Sequence, residues 1–298
     1  MEDTEKYSER VRNILYGDIF QRDPEKDPVR IAYEIAAEMH SGQKRKGKDE
    51  IDYITHPLQV YDMVKKCIGD DDVRDKDVTL AVALLHDAVE DYGKGKAIDK
   101  EDAVQEAIRN IENAFITRST NGKFTNFEFS QKLMDSLSVL SNPTESMDDE
   151  AKRRHQVGVA KSAPANIKLI KICDQAMNLV SNIEESTKWN YRKFINYTNK
   201  ATAVAKAAYT SNDKNDPYYN AVNTAWKVYE KISHEELDIL KSTKKRYDQV
   251  AKEEDEITEN VEARAVSLPS KHQIASFLLD NIIESARKDV NKHSSMAI

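Results

Sequence analysis

His86 and Asp87 stand side by side in the run Leu84-Leu85-His86-Asp87-Ala88-Val89-Glu90-Asp91, with two more carboxylates one helical turn later. Residues three and four apart share a helix face, so Glu90 lies one turn beyond His86 and Asp91 one turn beyond Asp87. Apolar residues precede them, which places these polar groups at or near a core. Burying such groups is costly unless something pairs with them, and a divalent metal is a natural partner. A second run, from Lys168 to Asn178, has the same character. Asp174 and Asn178 share a face there, and the apolar neighbours Ile170 and Cys173 point to partial burial of Asp174. His56, in Tyr53-Ile54-Thr55-His56-Pro57, is a third candidate. Together His56, His86, Asp87 and Asp174 supply imidazole nitrogen and carboxylate oxygen. That mixed set suits manganese, iron or zinc, and the weight of carboxylate and water favours manganese. A metal held there acidifies water and polarises a phosphoryl oxygen. Glu90 and Asp91 then serve as general base and water-positioning group. The chemistry suggested is metal-dependent hydrolysis.

The elements that must position these groups read as helices. Ile31, Ile35 and Met39 recur at helical spacing over residues 28 to 41. A polar loop, Gly42 to Asp52, follows. Pro57 suits a first helical turn, and Leu58, Tyr61 and Val64 continue one face. Residues 76 to 91 form the next helix, with Val78, Val82 and Leu85 facing inward. Further helices are expected from Asp99 to about Phe115, over 128 to 140, from Ala165 to Ile183 and from Tyr191 to Tyr209. Asn142-Pro143 ends one of them and Pro164 precedes another. No repeat and no convincing strand is visible. Ser211 to Pro217 is polar and marks a boundary between residues 1–210 and a helical C-terminal extension, 211–298, a candidate oligomerisation or lid element. In that extension Ser233-His234-Glu235-Glu236 resembles a capping box. Residues 242 to 263 are highly charged. Residues 270 to 288 carry Ile274, Phe277, Leu278, Ile282 and Ile283 on one side, a face that must pack on this subunit or a neighbour.

Composition bounds the rest. With 298 residues the chain holds one large domain or two smaller ones. Only 8 Gly and 7 Pro interrupt it, which favours helices over a turn-rich sheet protein. The net charge of -7 supplies no global basic field, so nucleic acid is not an expected partner. The two cysteines, Cys67 and Cys173, do not make a disulfide scaffold. No stretch approaches the roughly 20 apolar residues that span a bilayer, and the first thirty residues hold no continuous apolar block. A cytoplasmic enzyme without a membrane partner is expected.

Three ordered motifs carry a resemblance. Ser41-Gly42-Gln43-Lys44-Arg45-Lys46 followed by Tyr53-Ile54-Thr55-His56-Pro57 is the first; Ala83 to Asp91 is the second; Lys168 to Asp174 with Asn178-Leu179 is the third. Over roughly residues 28 to 205 the chain resembles the HD superfamily, and within it the hydrolase domain of RelA/SpoT alarmone enzymes, most like the small single-domain alarmone hydrolases. The resemblance implies an all-α HD-domain helical bundle that removes the 3′-pyrophosphate from (p)ppGpp with manganese, giving GDP or GTP. It implies His56, His86, Asp87 and Asp174 as metal ligands and Glu90 and Asp91 as the catalytic acidic pair. Arg45 and Lys46 resemble the basic pair near the phosphates, where guanidinium binds bidentately. Asn178 resembles a nucleoside-side contact, and Lys168 and Lys171 are secondary phosphate candidates. Tyr53 supports the site or lines the nucleotide pocket. Gln175 and Met177 depart from the family's third motif, and the segment from Tyr92 to Asn126 is longer than in the small enzymes, as a lid or as surface decoration.

Two other functions compete. Gln175, Met177 and the long segment motivate a related HD phosphohydrolase acting on NADPH or a nucleoside phosphate. The extension motivates a nucleotide-binding regulator without turnover, which ranks last because every expected ligand is present. His40 reads as a packed or surface residue. His155, His234, His272 and His293 read as surface residues. Met147, Met177, Trp189 and Tyr197 read as core.

Overall fold

Asp27 opens helix α1 (Pro28–Met39): its carboxylate accepts from the backbone N–H of Val29 at 2.9 Å and Arg30 at 3.1 Å. Such an N-cap stabilises a helix by about 1 kcal/mol, and Pro28 fits the first turn because it has no N–H to satisfy. The computed structural model describes residues 17–45, 48–92, 100–118, 127–140, 148–185 and 191–234, together with 283, 286–288 and 290. Lys46, Met147, Trp189, His272, His293, the charged run 242–263 and most of the amphipathic stretch 270–288 lie outside them.

After α1 come strands β1 (Lys44–Arg45) and β2 (Lys48–Asp52), an antiparallel pair with a register irregularity at Lys44/Arg45. This small hairpin replaces the loop expected from Gly42 to Asp52. Its residues are mostly charged, so no alternation of apolar and polar residues announced it. Helix α2 (Thr55–Ile68) follows directly, then α3 (Lys76–Tyr92), α4 (Lys100–Arg118), α5 (Phe127–Leu140), α6 (Asp149–Ser162), α7 (Ala165–Glu185) and α8 (Tyr191–Thr210). Residues 219–234 are also helical. The chain is thus all-α, the hairpin apart. Helix α6 was not visible in the sequence: it is largely polar and carries Gly158. Its signal was the cap, since Asp148 accepts from the N–H of Ala151 at 2.7 Å.

Helix α3 is the axis of the bundle. Val78 through Leu85 are all buried, Thr79 included, and α1, α2, α4, α5 and α7 pack around it. The sequence pattern suggested one inward face; burial on all sides instead explains why the run is apolar almost without interruption. Met177 is core, and Tyr197 packs half-buried against it. His234 is exposed and His155 half-buried.

The turn at 211–217 is built from Asx contacts, with Asp216 accepting from the N–H of Tyr218 at 2.8 Å. The chain beyond it returns to the same core. The Tyr218 hydroxyl lies 2.7 Å from the Thr79 hydroxyl and donates to the Arg74 carbonyl at 2.9 Å. Trp226 stacks on Tyr209 with centroids 4.9 Å apart. Ser233, read as a cap, instead lies buried within helical residues 219–234. Ile283, Ala286 and Val290 are buried in this same subunit, and the Arg287 guanidinium donates to the Ile68 carbonyl at 3.4 Å. That guanidinium fills the place a Cβ would take at Gly69, whose φ of +57° suits glycine at a helix C-terminus. Among the described residues no helix is long and apolar enough to cross a membrane.

Candidate metal centre

Three helices bring the ligand types together. His56 sits in the first turn of α2, where its N–H donates to the Tyr53 carbonyl at 2.9 Å and the Thr55 hydroxyl donates to the Asp52 carbonyl at 2.8 Å. His86 and Asp87 come from the last half of α3, and Asp174 from the middle of α7. One ligand atom each from His56, His86 and Asp174 lies within 4.8 Å of the others, and both imidazoles are buried. These three side chains can hold a divalent metal ion.

The hydrogen bonds around the group prepare it for that. His86 Nδ1–H donates to the Ala83 carbonyl at 2.8 Å, which turns Nε2 inward. That Nε2 is buried without a hydrogen-bond partner, 3.3 Å from Asp87 Oδ1 and 3.6 Å from Asp174 Oδ1. His56 Nε2 lies 3.1 Å from Asp174 Oδ1 and 3.5 Å from Asp87 Oδ2. Two imidazoles and two carboxylates thus converge from three helices, a donor set that fits a cation of borderline hardness. Asp87 is not one of the mutually close three, yet each of its oxygens faces one imidazole.

Each carboxylate is oriented from outside. Asn178 Nδ2 donates to Asp174 Oδ1 at 2.7 Å, and Gln175 Nε2 donates to Oδ2 at 2.8 Å. The Tyr53 hydroxyl donates to Asp87 Oδ2 at 2.8 Å. The Arg45 guanidinium lies over the Tyr53 ring, 5.6 Å from its centroid, and donates to the Ser181 hydroxyl at 2.6 Å.

The electrostatics follow from burial and proximity. Burial opposes the charged form of every group here. At Asp174 the hydrogen bond with His56 and the charges of His86 and His56 outweigh it, and the carboxyl is held well below its usual range. At His86 burial is outweighed by Asp87 and Asp174, which push the imidazole up to about 10. A cation competes with that proton for the same lone pair, so metal binding releases a proton. Burial prevails at His56, which falls below its ordinary value, with the positive charge of Arg45 adding to the effect. Burial raises Glu90 to about 7, and the charge of Asp87 adds to the rise. Burial lowers Lys171, whose charge is felt by Glu90, Asp174 and Asp87. Burial also raises the Tyr53 phenol, reinforced by Asp87 and Asp91. A carboxyl that titrates near neutrality beside a metal-ligating cluster can take up or release a proton at working pH.

The structure therefore gathers His56, His86, Asp87, Asp174, Glu90, Tyr53, Lys171, Arg45 and Asn178 around one centre, with Asp91 close enough to act on Tyr53. Lys168 stands apart. Its ammonium donates to the Ser211 carbonyl at 2.7 Å, tying α7 to the turn after α8, rather than facing the cluster. Six positions separate it from Asp174, which puts it on another face of α7. Gln175 was read only as a departure from a motif; its place next to Asp174 was the signal that it orients that carboxylate. Ser181 and His40 were missed as neighbours of the site, because they reach it through Arg45 and Tyr53. No family model and no curated protein matches the chain.

Proposed function

We propose that this chain is an HD-type, manganese-dependent phosphohydrolase that removes the 3′-pyrophosphate from (p)ppGpp. The observation that carries the reading is the buried convergence of His56, His86 and Asp174 with Asp87, next to a Glu90 carboxyl raised to about 7. His56, His86, Asp87 and Asp174 would hold the cation. Bound there, it would supply Lewis acidity to a phosphoryl oxygen and to water.

The side chains of the chain itself supply the rest. Glu90, half protonated near neutrality, accepts a proton from the attacking water and returns it to the leaving oxygen. Asp91 orients that water beside Tyr53. Lys171 offsets the negative charge gathered by Asp87, Glu90 and Asp174 when a polyphosphate arrives. The Arg45 guanidinium offers paired donors to a phosphate at the rim. Asn178 holds Asp174 in register, and the resemblance assigns it the nucleoside side. The protein works in the cytoplasm and without nucleic acid as a partner.

A second reading has one observation in its favour. Gln175 spends its amide on Asp174, where the related motif places a cation for substrate phosphate. One positive charge fewer suits a less charged substrate, such as NADPH or a nucleoside monophosphate. Incubation of the purified chain and manganese chloride with ppGpp, followed by ion-exchange separation, tests both. GDP and pyrophosphate support the first reading. Turnover of NADPH or a nucleoside monophosphate to free phosphate, with ppGpp intact, supports the second.

A further inference from the structure

We propose that His40 is a positioning residue for the metal centre, acting through the Tyr53 ring on the carboxylate of Asp87. The inference rests on the metal-centre reading above. His40 follows the last turn of α1 and is 3% exposed. Its Nδ1 lies 2.9 Å from Gln43 Oε1, an atom that can only accept, so Nδ1 donates there. The imidazole Nε2 is buried and has no hydrogen-bond partner. The role proposed for the imidazole is that of a wall against a partner of the centre, which another ring can also fill.

The neighbours of the ring show that role. The imidazole lies against the Tyr53 ring, centroids 4.8 Å apart and planes at 37°. Gln43, which holds the imidazole, also accepts from the Tyr53 N–H through its carbonyl at 2.9 Å. The Gln43 N–H in turn donates to the His40 carbonyl at 3.0 Å. Tyr53 is thus fixed by its backbone and by its ring from one short segment. Its hydroxyl then meets Asp87 Oδ2 at 2.8 Å. With Oδ2 engaged and 3.5 Å from His56 Nε2, Oδ1 is turned to His86 Nε2 at 3.3 Å. Removing the imidazole takes away the wall that stops the phenol from swinging, and Asp87 loses the donor that sets its rotation. Partners directly behind the ligands, as Tyr53 is, typically change metal affinity by about ten- to a hundredfold, which sets the ceiling for His40 behind it.

The test is manganese affinity of the full chain, read from the free-ion signal in electron paramagnetic resonance as manganese chloride is added. Thermal melts first establish that each variant is folded. Tyr53→Phe is expected to weaken binding about ten- to a hundredfold, and His40→Ala to weaken it by no more than that factor. The double variant is expected to bind no more weakly than Tyr53→Phe alone, because both changes remove one relay. His40→Phe, which keeps a ring against Tyr53, is expected to recover most of the affinity, and it serves as the informative variant if His40→Ala does not fold. Wild-type affinity in His40→Ala, or losses that multiply in the double variant, would overturn the proposal while leaving the metal centre intact. If wild-type chain and Asp174→Ala alike bind no manganese, the metal centre itself fails and the role of His40 falls with it.

Discussion

Replacing Glu90 by Gln removes one ionisation at nearly constant volume, and the structure fixes how stability should respond. Burial, aided by the charge of Asp87, raises this carboxyl from 4.5 to about 7. A carboxyl whose folded value lies above its unfolded one holds its proton more tightly in the native state. Stability is then undiminished below about pH 4.5 and declines as pH rises from there through about 7. At about 1.36 kcal/mol per pKa unit, the full shift corresponds to about 3 kcal/mol. Because Glu90 keeps some contact with water, that figure is the upper end. Urea unfolding followed by circular dichroism, with EDTA present throughout, gives the free energy at each pH by linear extrapolation. The gain of Glu90→Gln over wild type should be smallest at about pH 4.5 and grow towards pH 8, by at most about 3 kcal/mol. Any constant packing difference between Glu and Gln shifts both ends equally and leaves that growth untouched. A gain that stays flat across the window would refute the account of Glu90 as a desolvated carboxyl. The same variant should lose phosphohydrolysis by about a hundred- to ten-thousandfold if Glu90 moves the proton.

Asp174→Asn should abolish manganese binding in isothermal titration calorimetry, since it removes the carboxylate that faces both imidazoles. Gln175→Leu leaves Asp174 Oδ2 without its donor and should weaken manganese binding about tenfold or more in the same assay. Lys168→Met should destabilise the chain by about 1–3 kcal/mol in urea, because the Ser211 carbonyl loses a charged donor. Its turnover should remain at the wild-type level, and a loss matching that of Lys171→Met would reverse the structural role given to Lys168. Arg287→Ala should raise amide hydrogen exchange at residues 286–290, since the guanidinium ties that segment to the end of α2; unchanged protection would show the tie to be incidental.

The helices were legible in the sequence where one face is apolar or where a proline marks an end. Helices α1, α2, α3, α7 and α8 fall close to the expected spans for that reason. The hairpin at 44–52 and helix α6 were not legible, because neither has an apolar period; each is held by local hydrogen bonds that a hydropathy pattern does not register. Of the site, the ligand types were legible because His86-Asp87 and Asp174 are polar residues set in apolar runs. Which lysine faces the centre was not. Lys168 and Lys171 both follow the same pattern along α7, and only the fold shows one reaching Ser211 and the other the acidic groups. The contacts of His40 and Ser181 were hidden for a related reason: each meets a neighbour of the centre, Tyr53 or Arg45, from another element, and sequence spacing does not reveal contacts across elements.

Helix α3 has almost no free side, and it is the helix that carries His86, Asp87 and Glu90. A change of reaction geometry by sliding or tilting that rod would disturb five neighbouring helices at once. Divergence among proteins built on this plan is therefore expected to leave the rod alone and to accumulate in the hairpin and along the outer face of α7. On the proposed function, small edits there would rewrite substrate preference, while His86, Asp87 and Glu90 stay fixed to a helix buried on nearly all sides.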